Sequence, residues 1–331
     1  MSKDADPVVV TGQGDFKQEW PPSESEGVNV DNAPAKKPAP AAGFYPGVKE
    51  AEYRAWEAMN FSTLKHIRVS PAHLKEHIDT PPDPPSDEMR LGSAVHCLVL
   101  TPELFDDDFA VMPKVDRRTK DGKALWAEFV KKSTGKTIID AEQYVTAQAC
   151  ARSVLTHPVA SGLLANCADR EAAVVWTDPD TGILCKGKID GLNREAGTLI
   201  DLKTAANASP AEFQRVIANR EYHTQAGMYG AGLEAVGHPV SESYLIAVET
   251  KAPFPCVVYR LTPETAEIGR MEASRLLRVC GACMKANKWP GYSDHAVVDI
   301  SLPIWKLKQY EEDPPNYDEP GWDEAEEGGG L

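Results

Sequence analysis

The sequence predicts an α+β fold in which a central mixed β-sheet carries helices on its faces. Three observations predict it. The first half of the folded part reads as helices, the centre turns into three consecutive β-rich segments bounded by turn residues, and helices and strands then alternate toward the C-terminus.

Residues 1–45 are rich in Pro, Ala, Gly, Ser and charge, and Asn32 to Pro46 (NAPAKKPAPAAGFYP) reads as a disordered linker. Residues 49–60 and 70–79 read as helices, the second opening on Ser70-Pro71, an N-cap followed by a first-turn proline. After the break TPPDPP (80–85), a helix with the small residues Gly92, Ser93 and Ala94 is expected over 87–100, then helices over 122–133 and 141–156. AAVVWTD (172–178), ILCKGKIDGL (183–192) and TLIDLKTA (198–205) are separated by turns at Pro179 to Gly182 and Asn193 to Gly197, the pattern of an antiparallel three-strand meander. Helices at 210–220 and 221–237, strands at 242–250 and 255–262, and a long helix from Thr262-Pro263 to about Lys288 complete the order. Residues 311–331 end in EEGGGL and read as an acidic disordered tail, so one folded domain is expected over 46–310.

Bulk properties narrow the classes. Of 331 residues, 42% are hydrophobic, enough for a substantial core. No apolar run is long enough to span a membrane, and the N-terminus has no apolar signal core, so a cytoplasmic protein is expected. The seven cysteines are scattered and suit a reducing compartment rather than a disulfide framework. The net charge of −15 argues against a nucleic-acid partner if spread evenly, but it is not: 311–331 carries −9, 1–45 carries −3 and 46–310 only −3. A near-neutral body leaves room for a local basic groove.

The chemistry concentrates on Asp190 and on Asp201-Leu202-Lys203, which fall on consecutive strands. Alternation along a strand sends Asp201 and Lys203 to one face, and the neighbouring strand can set Asp190 beside them. Two converging carboxylates repel unless a cation lies between them; a hard ion such as Mg²⁺ fits, with the Leu202 carbonyl as a further oxygen. Lys203 could then orient or deprotonate a water and offset charge on a phosphate. A D-x-K on a strand is also an ordinary surface pair, yet Ile189, Leu199, Ile200 and Leu202 mark these strands as central, where charge is costly without a partner. Gln225 and Tyr229 share a helix face and could hold a phosphate or a nucleotide edge; alternatively Tyr229 is plain core. His96 is a core histidine or a further metal ligand, and Glu171 an outer carboxylate or a strand-edge surface residue.

In order, His96, Glu171, Asp190, Asp201-x-Lys203 and Gln225-x₃-Tyr229 resemble the RecB-like branch of the PD-(D/E)xK nucleases, with their restriction-endonuclease-like fold. The words LGSAVHCLVLTPELFDDDFAV, WTDPDTGILCKGKIDGL, IDLKTA and YHTQAGMYGAGLEAVG narrow the resemblance to the RecE-type exonuclease VIII domain, over roughly residues 60–300. The resemblance implies Mg²⁺ held by Asp190, Asp201 and His96, with Mn²⁺ substituting, Lys203 as the catalytic lysine, and Gln225 and Tyr229 completing the site against DNA. It also implies 5′→3′ resection of duplex DNA ends, a homo-oligomeric ring and a single-strand annealing partner of the RecT type. Asp201 stands where the usual E-x-K has Glu. Cys280 and Cys283 are the one close cysteine pair and read as core, so no iron–sulfur cluster is expected. The alternatives are a single-strand or flap nuclease of the same superfamily, a non-catalytic DNA-end-binding or annealase-recruiting module, and an acidic scaffold.

Overall fold

The computed structural model describes residues 35–81, 83–293 and 297–312. These fall into two units, one ending at Trp289 and one beginning at Pro290. The expected arm up to residue 34 and the expected acidic tail from 313 lie outside the described residues.

The linker expectation is corrected at its C-terminal end. Lys37–Pro38 (β1) and Gly43–Tyr45 (β2) are extended, and Phe44 of β2 pairs with Val174 at the edge of the main sheet. Two aromatic rings are the reason. Phe44 packs against the buried core, and the Tyr45 ring meets the Trp56 ring edge-on at 5.8 Å. Composition averaged over a Pro/Ala-rich stretch concealed them.

The helix expected over 49–60 is likewise broken. Glu50–Ala55 (α1) gives way to extended Trp56–Glu57 (β3), and Phe61–Leu64 (α2) restarts after Asn60, whose side chain accepts from the Thr63 amide. The buried Lys186 amine donates to the carbonyls of Tyr53 and Trp56 at 2.8 and 2.7 Å, which holds the chain in that break. Pro71–Asp79 (α3) is capped by Ser70 and Asp87–Leu100 (α4) by Ser86. Phe105–Asp108 (α5), Phe109–Val111 (β4), Lys120–Lys132 (α6) and Thr137–Ile139 (β5) follow, with β4 and β5 forming a small parallel pair. Ala141–Thr156 (α7) opens on a capping box of Asp140 and Gln143 and leads to Pro158–Ala165 (α8).

The meander is present as Asp169–Thr177 (β6), Leu184–Asn193 (β7) and Thr198–Ala205 (β8). Pro210–Arg220 (α9) and Tyr222–Ala235 (α10) carry the chain to Glu242–Glu249 (β9), then Cys256–Arg260 (β10) and the long Pro263–Ala286 (α11). The second unit holds Ile304–Glu312 (α12). The six-stranded sheet has the order β10-β9-β8-β7-β6-β2, with β8 and β9 parallel and all other neighbours antiparallel. No helix among the described residues is long and apolar enough to cross a membrane.

Two cores sandwich the sheet. Val95 and Val99 of α4, Cys150 and Val154 of α7 and Leu164 of α8 close on Ile200, Leu202, Ile246 and Val248. On the other side Leu64, Leu74, Met228, Leu276 and Cys280 close on Val174, Trp176, Ile189 and Leu199. Ile200 and Leu202 thus face the first core, and strand alternation turns Asp201 and Lys203 toward α10.

Helix α10 is seated by a glycine contact with α11. A Cβ on Gly269 would come 2.0 Å from the His223 carbonyl oxygen, and one on Gly227 would come 2.4 Å from the Arg270 amide. Both obstacles are backbone, so neither side can yield. Gly269→Ala is expected to cost about 1–3 kcal/mol or more by overpacking. Gly162→Ala, with nothing within 4 Å of the added carbon, should be neutral or slightly stabilising. Thermal melts of the two variants check this, and equal melting temperatures would contradict it.

Candidate metal centre

The centre forms where the sheet opens. Strands β7 and β8 share three rungs, Asn193 with Thr198, Leu192 with Leu199 and Gly191 with Ile200. The next rung would set Asp190 against Asp201, and it is absent. On the other edge of β7 the register passes from Arg170 and Gly191 to Ala172 and Ile189, omitting the rung of Glu171 with Asp190. There Glu171 adopts a left-handed backbone with φ of 50°, a conformation that costs a side-chain-bearing residue roughly 1–2 kcal/mol. Asp190 therefore sits at a gap flanked by two other carboxylates. Its Oδ2 accepts the Leu202 N–H at 2.7 Å, an amide the opened ladder leaves free. Leu202 is thus tied to the centre through its N–H.

Cations from three elements face these acids. From α4, His96 Nδ1 lies 3.6 Å from Asp190 Oδ2 and 4.0 Å from Glu171 Oε1. Small residues beneath it permit this approach, Ala94 being fully buried and Gly92 lying against Thr204. From β7, Lys188 bridges Glu171 at 2.9 Å and Glu50 of α1 at 2.7 Å. From β8, Lys203 pairs with Asp201 at 2.6 Å, donates to Gln225 Oε1 at 3.2 Å, and stands 4.6 Å above the Tyr222 ring. Tyr229 lies one turn on from Gln225, its ring against Gly187, where a Cβ would come within 2.9 Å. A small cleft is lined by Lys188, Asp190, Asp201, Gln225, Tyr229 and Tyr244.

The electrostatics follow from burial and crowding. Burial alone would depress the His96 imidazole, but Asp190 and Glu171 overcome it and raise its pKa to about 9. Burial would raise Asp190, yet His96 and Lys203 hold it below the usual carboxylate range. Asp201 is pushed up to about 6, by burial and then by Asp190, against the pull of Lys203. Glu171 is raised by burial and Asp190, with Lys188 and His96 opposing. Lys203 resists its burial and is held above the ordinary lysine range by Asp201 and Asp190. Burial lifts the Tyr229 hydroxyl to about 12.

The donor set suits a divalent cation. Among the described residues, one ligand atom each from His96, Glu171 and Asp190 lie within 4.8 Å of one another. Carboxylate oxygens and one imidazole are hard to borderline ligands, fitting Mg²⁺ or Mn²⁺. The elevated His96 pKa says the same: the carboxylates demand positive charge there, and the imidazole proton supplies it when nothing else does. Asp201 is coupled by charge to Asp190 and His96 but turned toward Lys203. Glu171, expected as an outer carboxylate or a strand-edge surface residue, lies in this cluster. Sequence reasoning missed Lys188 and Glu50. Lys188-Ile189-Asp190 mirrors Asp201-Leu202-Lys203 across an antiparallel pair, which was a usable signal; Glu50 left none.

Metal-free protein and its complex must differ in protons bound. His96 has a folded pKa above its ordinary 6.5, so its ion pairs stabilise fully below that value and are lost as pH rises through about 9. At pH 7.5 the ring is protonated, and a cation must displace that proton. Mn²⁺ titration in buffers of differing ionisation enthalpy should therefore register close to one proton released per ion, and much less for His96→Gln. Equal release by both proteins would remove His96 from the ligand set.

Residues 60–299 match a family model described as PDDEXK-like domain of unknown function (DUF3799). No curated protein matches the chain. The crystal structure of a candidate exonuclease from Eubacterium rectale is similar with a TM-score of 0.48 at 13% identity, over 76% of this chain and 92% of that chain.

Proposed function

Because this chain belongs to the PDDEXK-like domain family, we propose that it is a divalent-cation-dependent nuclease whose centre is built from His96, Glu171, Asp190, Asp201 and Lys203. The observation that carries this reading is the opened β7–β8 ladder, beside which Asp190 meets the His96 ring and Asp201 meets the Lys203 amine. His96, Glu171 and Asp190 would hold the cation, with Asp201 within electrostatic reach of it. When bound, Mg²⁺ or Mn²⁺ supplies Lewis-acid charge to a phosphodiester.

The remaining work falls to the chain's own groups. Lys203 stays protonated, since Asp201 and Asp190 hold its pKa up. It therefore serves as a fixed cation that offsets phosphate charge and orients a water, rather than as a base. Asp201 and Gln225 fix the direction of its amine. Tyr229, half-buried one turn on from Gln225, would help to position that amide. The Leu202 N–H keeps the Asp190 carboxylate aimed into the gap.

The finer reading is an exonuclease that resects duplex DNA from its ends 5′→3′, works as a homo-oligomeric ring and hands a 3′ single strand to an annealing protein of the RecT type. Its support is the resemblance of the motif words to RecE-type exonucleases. Linear duplex labelled at the 5′ or the 3′ end, incubated with Mg²⁺, tests it. Early loss of the 5′ label with closed circles spared is expected. Intact substrate in both Mg²⁺ and Mn²⁺ would defeat the nuclease reading, and early loss of the 3′ label would reverse the polarity.

A further inference from the structure

Net positive charge is concentrated in one stretch of this chain. Residues 112–136 hold eight basic and three acidic side chains, a net +5 within a protein of net −15, and no other 25-residue stretch is as basic. The stretch centres on α6, the connection between the parallel strands β4 and β5.

The helix presents its charge on one side. Gly122 and Ser133 are buried and Trp126 and Phe129 half-buried, which defines the face packed on the protein. Lys120 and Lys131 lie on the opposite face and Lys123 on its flank, with Ala124 and Ala127 between them. Small side chains there leave the helix surface flat, so a long polymer could lie close along it. Lys120 and Lys131 are about 16 Å apart along the axis at 1.5 Å per residue. All three lysines are exposed, as is Lys114 in the preceding loop. Among the described residues none of these four has an ion-pair partner, whereas Arg118 and Lys132 are committed to Asp116 and Glu128. Exposed amines without an ion-pair partner, in a stretch of net +5, favour an anion as their partner.

The stretch is also tied to the rim of the metal centre. Asp108, directly before β4, feels the charges of Lys188, Lys49 and Glu50. At the far end of the stretch, the Lys136 amine donates to the Asp106 carbonyl of α5. The segment therefore leaves and rejoins the protein beside the groups that flank Glu171.

We propose that the Lys120–Lys123–Lys131 face of α6 is the surface that holds the phosphate backbone of the DNA outside the cleft. The inference rests on the nuclease reading and names where its polymer substrate is gripped. Contacts of this kind carry no sequence information and act through counterion release.

The triple variant K120Q/K123Q/K131Q tests it in the full-length protein, because exposed substitutions on this face leave the packed side untouched. Binding of a fluorescent blunt duplex is measured against salt concentration in chelator, where no cleavage occurs. Each lost phosphate contact lowers the slope of log affinity on log salt by about 0.9, so a drop of about two to three is expected, with at least about tenfold weaker binding at low salt. Mn²⁺ affinity and melting temperature should equal those of the wild type. A slope and affinity equal to wild type overturn the proposal; if the wild type still degrades linear duplex, the nuclease reading survives that failure. Wild-type protein that neither binds nor cleaves duplex defeats both. Loss of binding to anionic lipid vesicles with the DNA slope unchanged would assign the face to a membrane surface and overturn the proposal as well.

Discussion

Asp201→Ala is expected to abolish cation-dependent DNA cleavage, by at least about 10³-fold, while the protein stays folded. Both halves follow from the charges around the gap. Asp201 holds the Lys203 amine at 2.6 Å, so its loss frees the one fixed cation from its orientation. It also adds its charge to the potential that attracts a divalent ion. The fold survives because the metal-free cluster is over-supplied with acid. Glu50, Glu171, Asp190 and Asp201 face His96, Lys188 and Lys203, one negative charge in excess. Removing Asp201, the acid already pushed up to about 6, leaves that set balanced. Cleavage of labelled duplex and a thermal melt are the measurements. Activity within tenfold of wild type would refute the role of Asp201, and a collapsed melt would make it structural.

Lys203→Ala should lower turnover by about 10²–10³-fold and leave cation affinity unchanged or tighter. An ammonium beside a cation site repels the ion, so deleting it cannot weaken binding by charge. The amine is also well insulated. Lying among Asp201, Gln225 and the Tyr222 ring, its side chain is 15% exposed, and its effect on a phosphate is little screened by solvent. Single-turnover rates and Mn²⁺ titration of the same preparation separate the two effects. Weaker Mn²⁺ binding in the variant would mean that Lys203 shapes the site rather than acting in the reaction. Lys203→Arg should restore little, because a planar guanidinium does not fit the point-charge position of an ammonium.

The meander was legible because its signals are local. Apolar strand residues and the turns at Pro179 to Gly182 and Asn193 to Gly197 give β6, β7 and β8, and strand alternation gives the pairing of Asp201 with Lys203. The helix turn from Gln225 to Tyr229 was equally readable, although which of its residues touches Lys203 was not. The break after α1 was not legible, since the group that holds it, Lys186, lies about 130 residues away in sequence. Strands β2, β4 and β5 are three residues each, too short to impose a period. The inward position of Glu171 depends on a left-handed backbone, and the role of the Leu202 N–H depends on an unformed rung. Both arise from strands separating in three dimensions, which no linear pattern records.

The most direct test of the whole account is Mn²⁺ binding followed by electron paramagnetic resonance on wild type, Asp190→Asn and His96→Gln. Saturable binding by wild type, weakened at least tenfold in each variant, is the expected result. Wild-type protein that leaves Mn²⁺ free in solution, or variants that bind it as tightly as wild type, would contradict a cation centre at the opened ladder.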